Sequence, residues 1–353
     1  MNAPLDSAPR AGALRGFDDE FTDIVDYILR ITQRIWEGRQ VGLCRDYYSE
    51  DCPVYTLAGY TQGAEAVTQN TLKTLCSFPD RTLHADNIVW SGDEEHGFHT
   101  SHLIYSTMTH RGPGEFGAPS GRRAAIQVIA HCVVRENKIV AEWLVRDNYS
   151  LCTQLGVDPG AWARARAQAP LDPEGRFARW MHAEHARVLG PPREGAAADA
   201  DADTVGASAT RIARALDAIW NARLIGDCRL LYAEHARLHA SARPVHHGLE
   251  AIQGFYLELL GALPDARISI DHVCAQSMRP GDYLAVRWTL AGHHSGPSRW
   301  GAASGAPVLI LGESHYRLEQ GRVVEEWLVF DELAVLTQIE RARLAAAGSQ
   351  GGA

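Results

Sequence analysis

An internal duplication constrains this chain more than any other feature. IWEGRQVGLCRDYY (35–48) lies over IWNARLIGDCRLLY (219–232) at an offset of 184 residues, with seven of fourteen positions identical. At the same offset RENKIVAEWLVRD (135–147) lies over EQGRVVEEWLVFD (319–331), with six identities in thirteen. Between them, FPDRTLHAD (78–86) matches LPDARISID (263–271) at an offset of 185. Order and spacing persist throughout, so the repeated unit is a domain of about 135 residues, too long for a solenoid repeat. A unit of that size buries about two-thirds of its unfolded surface and needs neither metal nor disulfide for a core.

Composition marks the seam. Residues 155–175 are rich in Gly and Pro, RFARWMHAEHARVLG reads as a helix, and PPREGAAADADADTVGAS (191–208) is acidic, small and of low complexity. The expected organisation is a disordered segment at 1–16, a first domain at 17–156, a linker with a short helix at 157–208, a second domain at 209–345 and a tail at 346–353. Each half opens with an amphipathic helix, in copy one through Phe21, Ile24, Val25, Ile28, Leu29, Ile31, Ile35 and Trp36. A second helix follows a glycine, at 63–78 and 248–263, and long strands close the unit. Asn137-Lys138 and Gln320-Gly321 stand where tight hairpin turns are needed. Helices followed by antiparallel strands specify an α+β domain with helices packed on one sheet face.

The rest of the composition narrows the partners. A formal net charge of −9 disfavours nucleic acid and anionic membranes. The first residues lack the apolar run of a signal peptide, and no segment reaches the roughly 20 apolar residues of a membrane span. The seven cysteines never form Cys-x-x-Cys, which suits reduced thiols in a cytoplasmic protein.

Residues 292–340, GHHSGPSRWGAASGAPVLILGESHYRLEQGRVVEEWLVFDELAVLTQIE, resemble the C-terminal half of the SnoaL-like polyketide and ester cyclases. That pattern is a strand ending in a Gly-His-Thr-Gly-like turn, a Gly-x-Pro-x-Thr-Gly loop, a strand, a Gly turn and Val-x-Glu-x-Trp-x-x-x-Asp. Residues 109–156 fit it as a second instance. The resemblance implies two tandem cone-shaped α+β barrels, each a curved antiparallel sheet packed by helices, of the kind shared by nuclear transport factor 2 and ketosteroid isomerase. It also implies sheet-to-sheet pairing, as a homodimer or within one chain as a pseudo-dimer.

Period-two alternation on the last strand places Ile139, Ala141, Trp143, Val145 and Asp147 on one face, and Val323, Glu325, Trp327, Val329 and Asp331 on its counterpart. A carboxylate beside Trp and Val loses solvation, its pKa rises, and it can take a proton next to a carbonyl near neutral pH. In the resembling cyclases an Asp on this strand is the acid/base, and Asp147 and Asp331 match its position. His131 and His315, on the preceding strand, are the expected partners of those acids. On the first long strand copy one has His99, His102 and Tyr105 where copy two has Arg287 and Trp288. A one-residue slip exchanges faces, so alternation leaves open which of them point inward. Trp143, Trp327, Tyr48 and Tyr232 complete the set of candidate substrate-binding residues.

His235/His239, His182/His185, His246/His247 and His293/His294 each lack a complete ligand set, so no metal is expected. No phosphate loop or dinucleotide fingerprint is present, and no cofactor is expected. The sequence thus points to a cofactor-independent enzyme acting by Asp-mediated proton transfer on a small carbonyl compound. Cyclase, isomerase, lyase and hydrolase chemistry all fit. The alternatives are a non-catalytic small-molecule binder, or one catalytic copy with one structural copy. Copy one is the more specialised by its polar residues.

Overall fold

The computed structural model describes residues 14–170, 172, 174–191, 204–278 and 280–350. The expected disordered segment at 1–16 lies outside these up to residue 13, and most of the low-complexity linker, 192–203, lies outside them as well.

Copy one begins with α1 (Ile24–Thr32), continued by a π-helical turn to Glu37, then α2 (Cys44–Tyr47). Asp23 starts α1 by accepting the Val25 and Asp26 N–H groups at 2.9 and 2.8 Å, and Ile24, Tyr27, Ile28 and Ile31 form its buried stripe. Two short strands, β1 (Pro53–Thr56) and β2 (Gly59–Gln62), precede α3 (Ala64–Ser77). The α3 N-terminus requires Gly63, whose φ is +87° and where a Cβ would sit 2.3 Å from the Glu50 carbonyl oxygen. Four long strands follow: β3 (Thr82–Asp93), β4 (Gly97–Thr109), β5 (Arg123–Arg135) and β6 (Lys138–Arg146). The sheet order is β2-β1-β6-β5-β4-β3, with β1 parallel to β6 and every other pair antiparallel.

Copy two repeats the plan with α7 (Thr204–Trp220), α8 (Cys228–Leu231), β7 (Tyr232–Ala240), β8 (His246–His247), α9 (Gly248–Ala262), β9 (Arg267–Met278), β10 (Gly281–His293), β11 (Pro307–Glu319) and β12 (Arg322–Phe330). Its sheet order, β8-β7-β12-β11-β10-β9, is the same. Both β5–β6 and β11–β12 hairpins turn through two residues of positive φ, Glu136-Asn137 and Gln320-Gly321, as a right-twisted two-residue hairpin demands. In copy one that turn lies one residue earlier than expected.

Several boundaries differ from the sequence reading. Asn148 and the residues after it leave the strand and form α4 (Asn148–Gln154). The connection holds two helices, α5 (Pro159–Gln168) and α6 (Arg176–Leu189), and Thr204–Ser208, expected as linker, already belong to α7. The C-terminal helix α10 (Glu332–Gln350), along which α5 packs, runs into the expected tail at 346–353, of which 351–353 lie outside the described residues. All seven cysteines are free, and all but Cys76 are buried. Among the described residues no helix is long and apolar enough to cross a membrane.

The two sheets pack outer face to outer face within the chain. Leu57, Leu103, Ile129 and Val145 of copy one meet Ala291, Leu309, Leu311, Val329 and Ala334 of copy two, with Val188 of α6 between them. Each of the Leu, Ile and Val side chains contributes about 2 kcal/mol when fully buried. The concave face of each sheet is thereby left to its own helices, and it encloses one cone per copy.

Candidate active site

Which side chains enter each cone is decided by a bulge. The β5–β6 register runs Val133↔Ala141 and then Val134↔Ile139, so Val140 is unopposed. In copy two Val324 is skipped in the same way. The bulge shifts the alternation by one residue. Ile139 faces inward as expected, but beyond the bulge Glu142, Leu144 and Arg146 face inward and Trp143 and Val145 face the other copy. The unbroken alternation expected for this strand is therefore corrected.

Copy one encloses a cavity of about 580 Å³. Its walls are Ile28, Ile31, Ile35, Ile126 and Val128 among other apolar groups, and the exposed Lys73, Cys76 and residues 113–115 also line it. Pairing sets the polar groups in rows across the sheet: Thr100–Cys132–Glu142, His102–Ala130–Leu144 and Ile104–Val128–Arg146. Adjacent rows are about 7 Å apart along the strands. Tyr48, just after α2, donates its hydroxyl to Glu142 Oε2 at 3.2 Å. Burial pushes the Glu142 carboxyl up, against the pull of Arg146 and the Tyr48 hydrogen bond. Burial also holds the Tyr48 phenol well above its ordinary value and pushes His102 down to about 4, so its ring is neutral. His102 Nε2, Arg146 Nε and Thr100 Oγ1 are buried without a hydrogen-bond partner. Arg81, also lining the cavity, gives its Nε–H to Ser106 Oγ at 2.9 Å and lies over Trp36. Unsatisfied buried polar groups are costly, so their convergence on one apolar cavity marks a ligand site.

Copy two keeps the Tyr–Glu pair but fills the cone. Tyr232 donates to Glu326 at 2.5 Å and meets Tyr256 at 2.8 Å. At matching positions Thr71 becomes Tyr256, Ile104 becomes Trp288, Cys132 becomes Tyr316 and Arg146 becomes Phe330. All four replacements are buried. Trp288 lies flat on the sheet because Gly312 is beneath it; a Cβ there would be 2.1 Å from the indole.

The other sequence candidates lie elsewhere. Asp147 caps α4 through the Ser150 N–H at 3.0 Å and accepts the Ala242 N–H of copy two at 2.9 Å. Asp331 caps α10 through Leu333 and Ala334 and accepts from Asn148 Nδ2 of copy one at 2.5 Å. Each acid thus ties a helix start to the opposite copy, and neither lines the cavity. His131 and His315 are on the outer faces and do not meet those acids: His131 Nδ1 is 2.9 Å from Glu313, and His315 Nε2 is 2.7 Å from Ser101. His99 stacks on His272, Arg287 lies 3.6 Å over Trp143, Trp327 stacks on His239, and Tyr105 is exposed. His102 and Tyr48 are the predicted residues that reach the copy-one cavity. Glu142 and Arg146 were not predicted; the identity of Tyr48/Tyr232 and Glu142/Glu326 across the repeat was the available signal.

His235 and His239 lie on strand β7 rather than a helix, and His185 of α6 bonds the Gly292 carbonyl at 3.1 Å. Among the described residues one group has metal-ligand spacing, His99, His131 and His272, between the sheets.

The model of the SnoaL-like polyketide cyclase family matches the chain twice, at residues 26–155 and 210–339. No curated protein matches the chain. Among solved structures, a protein from Jannaschia sp. CCS1 described as a SnoaL-like polyketide cyclase is 22% identical. The match covers 43% of this chain and 98% of that one, at a TM-score of 0.36. TsrD from Streptomyces laurentii is 19% identical over 40% of this chain and 99% of its own, at 0.35. A Catenulispora acidiphila DSM 44928 protein with a ketosteroid isomerase-like fold, in complex with trimethylamine, is 19% identical over 36% and 90%, at 0.30.

Proposed function

The chain belongs to the SnoaL-like polyketide cyclase family, and from that premise we propose that copy one is a cofactor-independent acid/base enzyme and copy two its structural partner. The substrate is a small organic molecule with a carbonyl group. The observation that carries this reading is the convergence of a buried carboxylate, Glu142, with unpartnered His102 and Arg146 nitrogens on one 580 Å³ cavity. A cavity of that size suits a ligand of drug-like dimensions.

Glu142 is the general base in this reading, in place of Asp147 or Asp331. Its raised pKa brings it closer to the carbon acid it must deprotonate, while the Tyr48 hydroxyl keeps the carboxylate oriented. The proton next to the carbonyl passes to Glu142 and the electron pair moves onto the carbonyl oxygen. The Arg146 guanidinium and the free His102 nitrogen receive that oxyanion in a site of low polarity, where such contacts act most strongly. Returning the proton to another carbon isomerises the substrate. Attack of the enolate carbon on a second carbonyl closes a ring.

The test is proton exchange. A panel of aryl and bicyclic ketones is incubated in D2O, and deuterium uptake at the α carbon is followed by NMR. The expected result is exchange on at least one ketone with wild-type protein and its loss in Glu142→Gln. Binding without exchange across the panel would favour the non-catalytic binder, and exchange surviving in Glu142→Gln would remove Glu142 from the mechanism.

A further inference from the structure

On the opposite side of the sheet from the cavity, two imidazoles of copy one meet one of copy two. We propose that His99, His131 and His272 form a site for a single divalent first-row metal ion of the zinc type, clamping the two copies together. One ring nitrogen from each lies within 4.8 Å of the others. His99 Nδ1 and His131 Nε2 are 3.1 Å apart, close to the roughly 3.3 Å between two nitrogens bound to one tetrahedral zinc at 2.0–2.1 Å. The site lies outside the catalytic cone and does not rest on the chemistry assigned to it.

Its surroundings are those of a supported site. Glu313 Oε1 holds the Nδ1 side of His131 at 2.9 Å, which leaves Nε2 turned toward His99. A carboxylate behind a ligating imidazole is the usual means of orienting it. Ser91 Oγ holds the His272 ring at 3.1 Å. Burial keeps all three rings in the uncharged form that binds metal, with His99 held near 4, His272 near 2 and His131 well below its ordinary value. His131 is fully buried, whereas His99 and His272 are half-buried and reachable from solvent. The His99 and His272 rings lie nearly parallel, 3.8 Å apart, so loading turns one of them edge-on to the ion. Arg287 is a cation close enough to disfavour charge on all three rings, and Glu313, its cross-strand neighbour, acts against it at His99. Three imidazoles suit zinc, copper or nickel rather than calcium or magnesium.

Full-length chelator-stripped protein is titrated with Zn(II) against a chromophoric chelator. The expected result is one tight equivalent, with affinity reduced at least 100-fold in His99→Ala and in His272→Ala, and 10- to 100-fold in Glu313→Gln. Zinc should raise the melting temperature of wild-type protein by several degrees and leave that of both alanine variants unchanged. Co(II) in place of zinc should give the visible bands of a tetrahedral nitrogen-rich site, a measurement that needs no variant. Absence of a tight equivalent in wild-type protein, or affinity unchanged in folded His99→Ala, would overturn the proposal. The control His293→Ala, at the far end of β10, should bind as wild type does.

Discussion

At the scale of single residues, the reading turns on a carboxylate that the fold makes costly. The folded pKa of Glu142 lies above its ordinary 4.5, so the folded state disfavours its ionised form. The penalty is absent at low pH and grows as pH rises through the folded value. Glu142→Gln should therefore unfold at higher denaturant than wild type at pH 8, with the gain shrinking toward pH 4, while exchange activity falls by about 10²–10⁴-fold. Urea titrations at the two pH values check the first part. Tyr48→Phe removes a donor that favours the ionised form. It should move the acid limb of the pH–rate profile to higher pH, and an unshifted limb would argue that Tyr48 does not act on Glu142. Asp147 and Asp331 show the limit of reading one residue at a time. Their position beside Trp and Val was legible in the sequence, but their helix-capping role depends on α4 and α10 starting at the next residue.

At the scale of elements, one skipped residue in each last strand separates the expected cone from the observed one. Alternation, the repeat, both helices and the hairpins were legible, because each follows from local spacing. The bulges at Val140 and Val324 were not, since nothing in KIVAEWLVR or RVVEEWLVF distinguishes a bulged Val from a paired one. After the bulge, His131 and Trp143 point together toward copy two, and Glu142 replaces them inside. The contrast between the cones was written in the sequence as Thr71/Tyr256, Ile104/Trp288, Cys132/Tyr316 and Arg146/Phe330, but it becomes meaningful only once those positions are known to face inward. Two predictions belong here. Ile104→Trp combined with Val128→Gly recreates the Trp288–Gly312 pair; it should fill the copy-one cavity and abolish ligand binding in a calorimetric titration with any ketone that wild-type protein exchanges. Glu326 is buried in copy two with a pKa pushed up to about 7, and in the proposed reading it has no catalytic role. Glu326→Gln should stabilise the chain at pH 8 by up to about 3 kcal/mol, with the gain vanishing below pH 4.5.

At the scale of the whole molecule, the two copies form an intrachain pseudo-dimer whose polar seam is held by neutral histidines. His99 and His315 are held near 4, His272 near 2, and His131 well below its ordinary 6.5. Unfolded chains take up protons at these rings as pH falls below 6.5, whereas the folded chain resists until about 4 and lower. The stability they allow is thus complete above 6.5 and is lost on acidification. Buried carboxylates such as Glu326 and Asp331, raised to about 7, act in the opposite sense, so the histidine contribution is read as a difference: the urea midpoint of His315→Gln should fall less between pH 7 and 5 than that of wild-type protein, and an equal fall in both would contradict the burial of this seam. In the proposed reading the duplication divides the labour, with an open cone in copy one and a cone occupied by Tyr256, Trp288, Tyr316 and Phe330 in copy two. The comparison that tests this most directly is α-proton exchange on one responsive ketone by Glu142→Gln and Glu326→Gln side by side. Loss of exchange in the first with wild-type rates in the second is the predicted result; equal loss in both, or loss in Glu326→Gln alone, would contradict it.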